Sequence, residues 1–406
     1  MVVEFDVIPT IVGILVVVIP AMLMGKLCSK FGISEIIGFV IAGIIFGPHA
    51  IGGLIPFGER SIVMTDELML SFWQISGIIV LFSAGLHFTF GDLKKAGIKA
   101  VVVGVGGVVL PLVFGYIISM SFGFDWIASV ILGATLSTTS IAVSVTVLEE
   151  INKSKTKEGN VLVNAAVLDD VLGLAILSAV VSIIVAEEVP SFGSILFQTG
   201  EAIGFWFLLL LGSVFVLPKI VHLAVSAHPA TLESRGTNQA VAIGSAFGIA
   251  AIAGSLGLNP IVGSFAAGMG LADSKFVNQV REFVGRLKIM FAPLFFAILG
   301  AHIDITKVYY IDFLLFISLI LIAVISKIVG SGLPAITLLK SERKGIRVGY
   351  GMIARGEIAF ITAGIGLAHG IIDNTVFSTL IFVILSTIII SPILLRYSYR
   401  TKNWFK

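Results

Sequence analysis

The chain has 406 residues, 57% hydrophobic and only 12% charged, with a formal net charge of +2 and a mean hydropathy of +1.09. Soluble globular proteins carry about 25% charged residues, so the composition excludes a water-soluble protein, and no basic patch points to a nucleic-acid partner. The single cysteine, Cys28, excludes an intramolecular disulfide.

The apolar stretches are apolar all round and long enough for membrane helices, where barrel strands would alternate in polarity. The N-terminal "MVVEFDVIPT" is acidic, without a basic n-region or a small-residue cleavage site. The first apolar stretch is therefore expected to stay in the protein. Thirteen spans are predicted, near 8–25, 33–47, 68–88, 97–122, 126–148, 160–186, 195–217, 236–257, 259–272, 286–301, 311–334, 347–369 and 373–395. The second, ninth and tenth are short or glycine-broken. With the N-terminus outside, 22 of the 26 Lys and Arg residues fall in inside loops and two, Arg60 and Lys307, in outside loops. That asymmetry predicts an odd number of spans and a C-terminus on the cytoplasmic side.

Two blocks recur. "EIIGFVIAGIIFG" (35–47) resembles "NPIVGSFAAGMGL" (259–271), with Gly38 and Gly43 answering Gly263 and Gly268. "VLFSAGLHFTFGDL" (80–93) resembles "FFAILGAHIDI" (295–305), with Gly85 and His87 answering Gly300 and His302. Spans 1–6 thus read as repeated in spans 8–13, and the single intervening span inverts the second copy. Inverted repeats of this kind build secondary transporters.

Polar residues inside the spans are few, and charged ones there are costly and functional by default. "VLVNAAVLDDVLGLAIL" carries Asn164, Asp169 and Asp170; "LIAVISKIVGSG" carries Lys327; "YGMIARGEIAFI" carries Arg355 and Glu357. Span 5 holds Ser137, Thr138, Thr139 and Ser140 at its centre. Hydroxyls beside a glycine can replace backbone hydrogen bonds where a helix is interrupted, and unwound backbone at membrane depth must line a cavity or be covered by protein. By the repeat, spans 5 and 12 are the two expected broken helices. Adjacent residues on a helix point about 100° apart, so the two aspartates need different neighbours. A buried ammonium needs a carboxylate partner. The reading is an ion pair between Lys327 and one aspartate, with the other binding a hard cation together with oxygens from the span 5 break. Arg355 and Glu357 are each expected to meet a different partner or to stabilise the second break, and His87 and His302 to be interfacial. No phosphate loop, Cys/His cluster or Ser/His constellation is present, and no cofactor is expected.

These residues resemble those of the monovalent cation:proton antiporters, second branch, and most closely the NapA-type Na⁺/H⁺ antiporters. The matching parts are "AAVLDDVLG", the "LSTTS" run one helix earlier, Lys327 in "ISKIVGSG", "ARGEIAFI" and the early "IIGFVIAGIIFGP" block. The resemblance implies an all-α fold of 13 transmembrane helices, two inverted six-helix repeats joined by a linker helix, with two discontinuous crossing helices. It implies a dimerisation domain from residues 1–92 and 231–306, a core ion-transport domain from 93–190 and 307–406, and a linker helix within 191–230. It also implies a homodimer in the plasma membrane of a prokaryote, working by an elevator-like movement and serving pH homeostasis. Asp170 would carry Na⁺ (or Li⁺) or protons in turn, and Asp169 would pair with Lys327. Two acids with the lysine imply electrogenic exchange.

Three competing readings are weighed. K⁺/H⁺ exchange keeps the fold and changes the ion. An intramembrane aspartyl protease would need its two acids on facing helices, and here they are adjacent. A channel would need a filter of carbonyl-presenting loops, and none is evident.

Overall fold

The computed structural model describes residues 7–400 apart from 32, 58–59, 187–191, 221–231, 275–276, 305 and 308–310, and at some further positions, Glu357 among them, the backbone only. The described chain is almost entirely helical. Its helices are α1 (Val7–Lys30), α2 (Glu35–Phe46), α3 (Ile51–Leu54), α4 (Glu67–Gly85), α5 (Phe90–Ser121), α6 (Trp126–Ser137), α7 (Ile141–Glu150), α8 (Lys157–Ala186) and α9 (Phe192–Phe215). There follow α10 (Leu232–Ser255), α11 (Pro260–Leu271), α12 (Val277–Ala301), α13 (Phe313–Lys327), α14 (Leu333–Leu339), α15 (Glu342–Gly351), α16 (Glu357–Ala368) and α17 (Asn374–Arg400). A two-stranded antiparallel hairpin, β1 (Pro56–Phe57) with β2 (Arg60–Ser61), lies in the loop before α4. Among the described residues, ten segments are long and apolar enough to cross a membrane.

Local chemistry sets the ends of these helices. Asp66, Asp125 and Asp312 cap α4, α6 and α13 by accepting from the amides of Met69, Ala128 and Leu315 at 2.7, 2.8 and 3.0 Å. Asn259 does the same for α11, whose first residue is Pro260, with Ile261 N at 2.9 Å. These short side chains satisfy amides that the first helical turn leaves unbonded.

Three differences from the predicted spans have local causes. The span expected at 97–122 begins earlier, at Phe90, because Gly97 takes a left-handed conformation (φ +46°) that joins a short leading helix to the long one. The span expected at 286–301 is the second part of a 25-residue helix whose first turns carry Arg281, Glu282, Arg286 and Lys288. Those charges interrupt the apolar pattern and not the helix. Spans 5 and 12, the two expected to be broken, are each two half-helices, α6–α7 and α15–α16. Span 11 passes from α13 to α14 through a π-helical turn at Ile328–Gly332, a feature common at functional sites.

Helix contacts rest on glycine. A Cβ on Gly43 would overlap the carbonyl of Ala297, and one on Gly300 the carbonyl of Val40, so α2 and α12 touch backbone to backbone. Gly85 and Gly268 stand in the same relation to Phe265 and Phe82, bringing α4 onto α11, and Gly106 and Gly330 bring α5 onto the π-helical turn. Lipid offers membrane helices little hydrophobic drive to associate, and close approach through small residues supplies the dispersion contact instead.

Candidate ion-binding site

The two broken helices cross at their breaks. After Ser137 the chain is extended through Thr138–Ser140, and after Gly351 it leaves the helix through Met352–Gly356. Each break leaves backbone groups without an intrahelical partner, and the breaks satisfy one another. Ser140 N donates to the carbonyl of Ala354 at 2.8 Å, Thr139 Oγ1 to that of Met352 at 3.2 Å, and Ser144 Oγ to that of Gly351 at 2.6 Å. Gly356 is needed at the crossing, since a Cβ there would stand 2.9 Å from Ser140 Cβ.

Asp169, on α8, is bound to the first break. Its Oδ1 accepts from Thr139 N at 2.7 Å and its Oδ2 from Lys327 Nζ at 2.7 Å, and the single Thr139 hydroxyl hydrogen is shared between Oδ2 at 3.0 Å and the Met352 carbonyl. Lys327 Nζ also donates to Thr139 Oγ1 at 2.6 Å and to the carbonyl of Ser137 at 2.7 Å. All three ammonium hydrogens are thereby used, and both charged side chains are fully buried. The Ser137 carbonyl is the C-terminal end of α6, the negative pole of that half-helix.

Arg355 plays the corresponding part at the second break. It is fully buried, and it donates to the carbonyls of Met352, Ile353 and Ala323, the last two at 2.5 and 3.0 Å. A cation therefore closes the C-terminal end of each half-helix, Lys327 at α6 and Arg355 at α15. The Arg355 amide donates to Thr387 Oγ1 on α17 at 3.1 Å.

Of the residues expected in the site, Ser137, Thr138, Thr139, Ser140, Asp169, Lys327 and Arg355 meet around the crossing. Asp170 lies beside Asp169 on α8, 2% exposed and within protein. Thr138 is also buried, against Gly173 one turn further along α8. Asn164 does not join them: its amide donates to the carbonyl of Asn160 on its own helix at 2.8 Å. Glu357 begins α16; its side chain lies outside the described residues. Four participants were missed from sequence. Gly107 leaves room for Ser331 Oγ and stands near Asp169 Oδ2, Thr387 holds Arg355, and the backbone carbonyls of Met352 and Ala323 accept hydrogen bonds. The run of glycines in "GVGGVV" signals the first and the hydroxyl in "ILSTIII" the second.

Beyond the crossing, α7 faces α12 and α2 across two cavities. One, of about 340 Å³, is lined by Glu35, Thr146, Glu149, Glu150 and Lys288 among others. The other, of about 410 Å³, adds His87, Asn152 and Lys155. Lys288 on α12 pairs with Glu149 at the end of α7, and Arg396 on α17 with Glu150 at 3.1 Å. Burial holds the His87 imidazole below its ordinary range, with Glu149 acting in the opposite sense. Toward the other end, a cavity of about 220 Å³ is lined by Trp73, His302, Phe360 and Ile361.

The sequence pattern of the family described as "Sodium/hydrogen exchanger, transmembrane" matches residues 14–396. A Na(+)/H(+) antiporter of Enterococcus hirae is 30% identical over 392 residues, covering 95% of this chain and 97% of that protein. The high-affinity Na(+)/H(+) antiporter NhaS3 of Synechocystis is 30% identical over 421 residues, covering 95% and 89%. The Na(+)/H(+)-K(+) antiporter GerN of Bacillus cereus is 29% identical over 395 residues, covering 96% of each. The solved structure of the sodium proton antiporter MjNhaP1 from Methanocaldococcus jannaschii at pH 8 superposes with a TM-score of 0.67 at 16% identity, covering 95% of each chain, which is a likeness of fold. By sequence pattern and by these relatives, the chain belongs to the transmembrane sodium/hydrogen exchanger family.

Proposed function

We propose that the protein exchanges Na⁺ (or Li⁺) for protons by alternating access, with Asp170 holding one or the other. The observation that carries this is the division of labour within the acid pair. Asp169 is committed to Thr139 and Lys327, and Lys327 has spent its three hydrogens on Asp169, Thr139 and Ser137. A second carboxylate in the same buried place is costly, and a proton or a cargo cation bound to it would neutralise it. A carboxylate that takes a proton or Na⁺, and not both, couples their movements when its pocket opens to one side at a time. The names of the relatives support the same ions.

The finer architecture is read as NapA-type: 13 crossings, two inverted six-helix repeats and a linker helix. The glycine contacts support it. The α2–α12 contact and the α4–α11 contact are the same contact under exchange of the copies, and the α5 contact with the π-helical turn maps onto itself. The dimerisation and core domains then divide at residues 92, 190, 230 and 306. Glu149 to Lys288 is a contact between the two domains, across which an elevator movement slides. The outward stripe Ile11, Leu15, Ile19, Leu23 and Leu27 on α1 supports a homodimer face within membrane lipid. The N-terminus is read as outside and the C-terminus as cytoplasmic, in a prokaryotic plasma membrane, with a role in pH homeostasis and no cofactor.

The test is exchange in proteoliposomes with Na⁺, Li⁺ and K⁺ across pH, with and without an imposed membrane potential. Asp170→Asn should abolish exchange while the protein keeps its melting temperature; near wild-type exchange in that variant would remove Asp170 from the mechanism. K⁺/H⁺ exchange is the second reading, favoured by the Na(+)/H(+)-K(+) name of GerN and the K(+)/H(+) name of the Bacillus subtilis relative KhtU. It is selected if K⁺ drives proton movement and Na⁺ does not.

A further inference from the structure

A groove of about 390 Å³ lies away from the crossing, and Lys95, Lys99, Lys155 and Lys157 line it, with Asn160 and Leu339. The four ammonium groups come from separate places: the start of α5, the α7–α8 loop and the first turn of α8. Among the described residues lining it there is no carboxylate. Glu158, the acid within this stretch, is buried and turned to Arg347 at 3.0 Å and Tyr399 at 3.3 Å. The groove also receives the positive end of α8, a 30-residue helix whose first turn is fixed by Thr156 Oγ1 accepting from Gly159 N at 3.1 Å. Four ammonium groups and the positive end of a helix facing one concave place favour an anion there.

The surroundings say what kind of anion. On either side of Lys99, α5 turns Ile98, Val101 and Val102 outward, 68%, 43% and 40% exposed. In a membrane helix these mark where the acyl chains begin, so Lys95 one turn earlier and Lys99 at that edge stand at the level of the headgroups. Ala96, Val161 and Leu339 give the groove an apolar part beside its ammonium groups. Basic pockets between membrane helices hold anionic headgroups in this way.

We propose that this groove binds the phosphate headgroup of an anionic phospholipid. The groove lies away from the crossing, shares Lys155 with the cavity of about 410 Å³, and does not depend on which cation is exchanged. Because its walls all belong to the unit read as the core domain, the lipid would travel with that unit.

The test measures lipid binding to the purified full chain by native mass spectrometry, with phosphatidylglycerol, phosphatidylethanolamine and inorganic phosphate as separate probes. Wild type should retain phosphatidylglycerol in preference to phosphatidylethanolamine, and inorganic phosphate should not displace it. The variant K95Q/K99Q/K155Q/K157Q should lose roughly fivefold in that affinity per lysine removed, the Arg replacements at the same positions should keep it, and K26Q/K30Q should leave it unchanged. The half variants K95Q/K99Q and K155Q/K157Q should each show part of the loss, which keeps the result readable if the fourfold variant folds poorly. Equal retention by wild type and both half variants, equal retention of phosphatidylethanolamine, or displacement by inorganic phosphate would each overturn the proposal.

Discussion

Lys327 Nζ and Asp169 Oδ2 stand 2.7 Å apart with no exposure of either side chain. A buried pair of this kind gains little over two apolar residues, but removing one partner strands the other charge, at a cost of about 3–5 kcal/mol. Asp169→Ala is therefore expected to lower the melting temperature of the detergent-solubilised protein strongly. Restoring neutrality with D169A/K327M should recover most of that loss. If the single and double variants melt together, the pair is not what holds α8 to the crossing.

The lysine also bears on charge movement. In the proposed cycle the Lys327 charge belongs to the balance of the buried site, so Lys327→Gln is expected to alter the charge carried per turnover. Currents recorded on supported membranes, normalised to Na⁺ flux, give that ratio for wild type and variant. An unchanged ratio would take Lys327 out of the proton count and leave it a structural role.

How far the sequence shows this site follows from what each residue costs in lipid. Asp169, Asp170, Lys327 and Arg355 stand out because a charge in an apolar run is expensive, and the serine–threonine run marks the first break because hydroxyls do the work of missing backbone bonds. What stays hidden is work done by backbone. The carbonyls of Met352, Ala354 and Ala323, which receive Thr139, Ser140 and Arg355, have no side-chain signature. Asn164 misled for the opposite reason: a polar side chain in an apolar run can be satisfied by its own helix, here by Asn160. The extra turns at the start of α12 were hidden because charged residues outside the bilayer continue a helix without continuing its hydropathy.

Gly106 and Gly330 each leave no room for a side chain against the other's carbonyl. Gly106→Ala is expected to push α5 from the π-helical turn that follows Lys327, destabilising the protein by about 1–3 kcal/mol. Because α5 also carries Gly107 against Ser331 Oγ, the same variant should slow exchange. Gly244→Ala on α10, where a Cβ would meet nothing, is the control expected to change neither. Melting temperature and exchange rate in the same preparation check both.

Arg355 donates to the carbonyls of Ile353 and Ala323, and shares that of Met352 with Thr139 Oγ1. Arg355→Gln should expose the C-terminal end of α15 to an unmet hydrogen-bonding demand of about 1–3 kcal/mol per group left unsatisfied. Arg355→Lys keeps the charge and loses the fork, so it should recover part of the stability. Amide hydrogen exchange over α15 and α16 locates the effect; uniform loosening of the whole chain would instead mean that Arg355 supports the fold at large.

His302 gives a pH dependence whose sign can be worked out. It follows the last residue of α12, tilted against Trp73 with ring centroids 6.5 Å apart, and one ring nitrogen is 2.7 Å from the carbonyl of Ile298. Burial pulls its pKa below the ordinary 6.5, His49 adds to this, and the Ile298 carbonyl opposes it. The unfolded chain thus takes up the proton before the folded one. The stability contributed by the neutral imidazole is present above about 6.5 and falls as pH drops below that value. Melting temperature should decline on acidification from pH 7 to 5, and His302→Gln should flatten that decline. A profile of unchanged slope in the variant would assign the acid sensitivity to other groups.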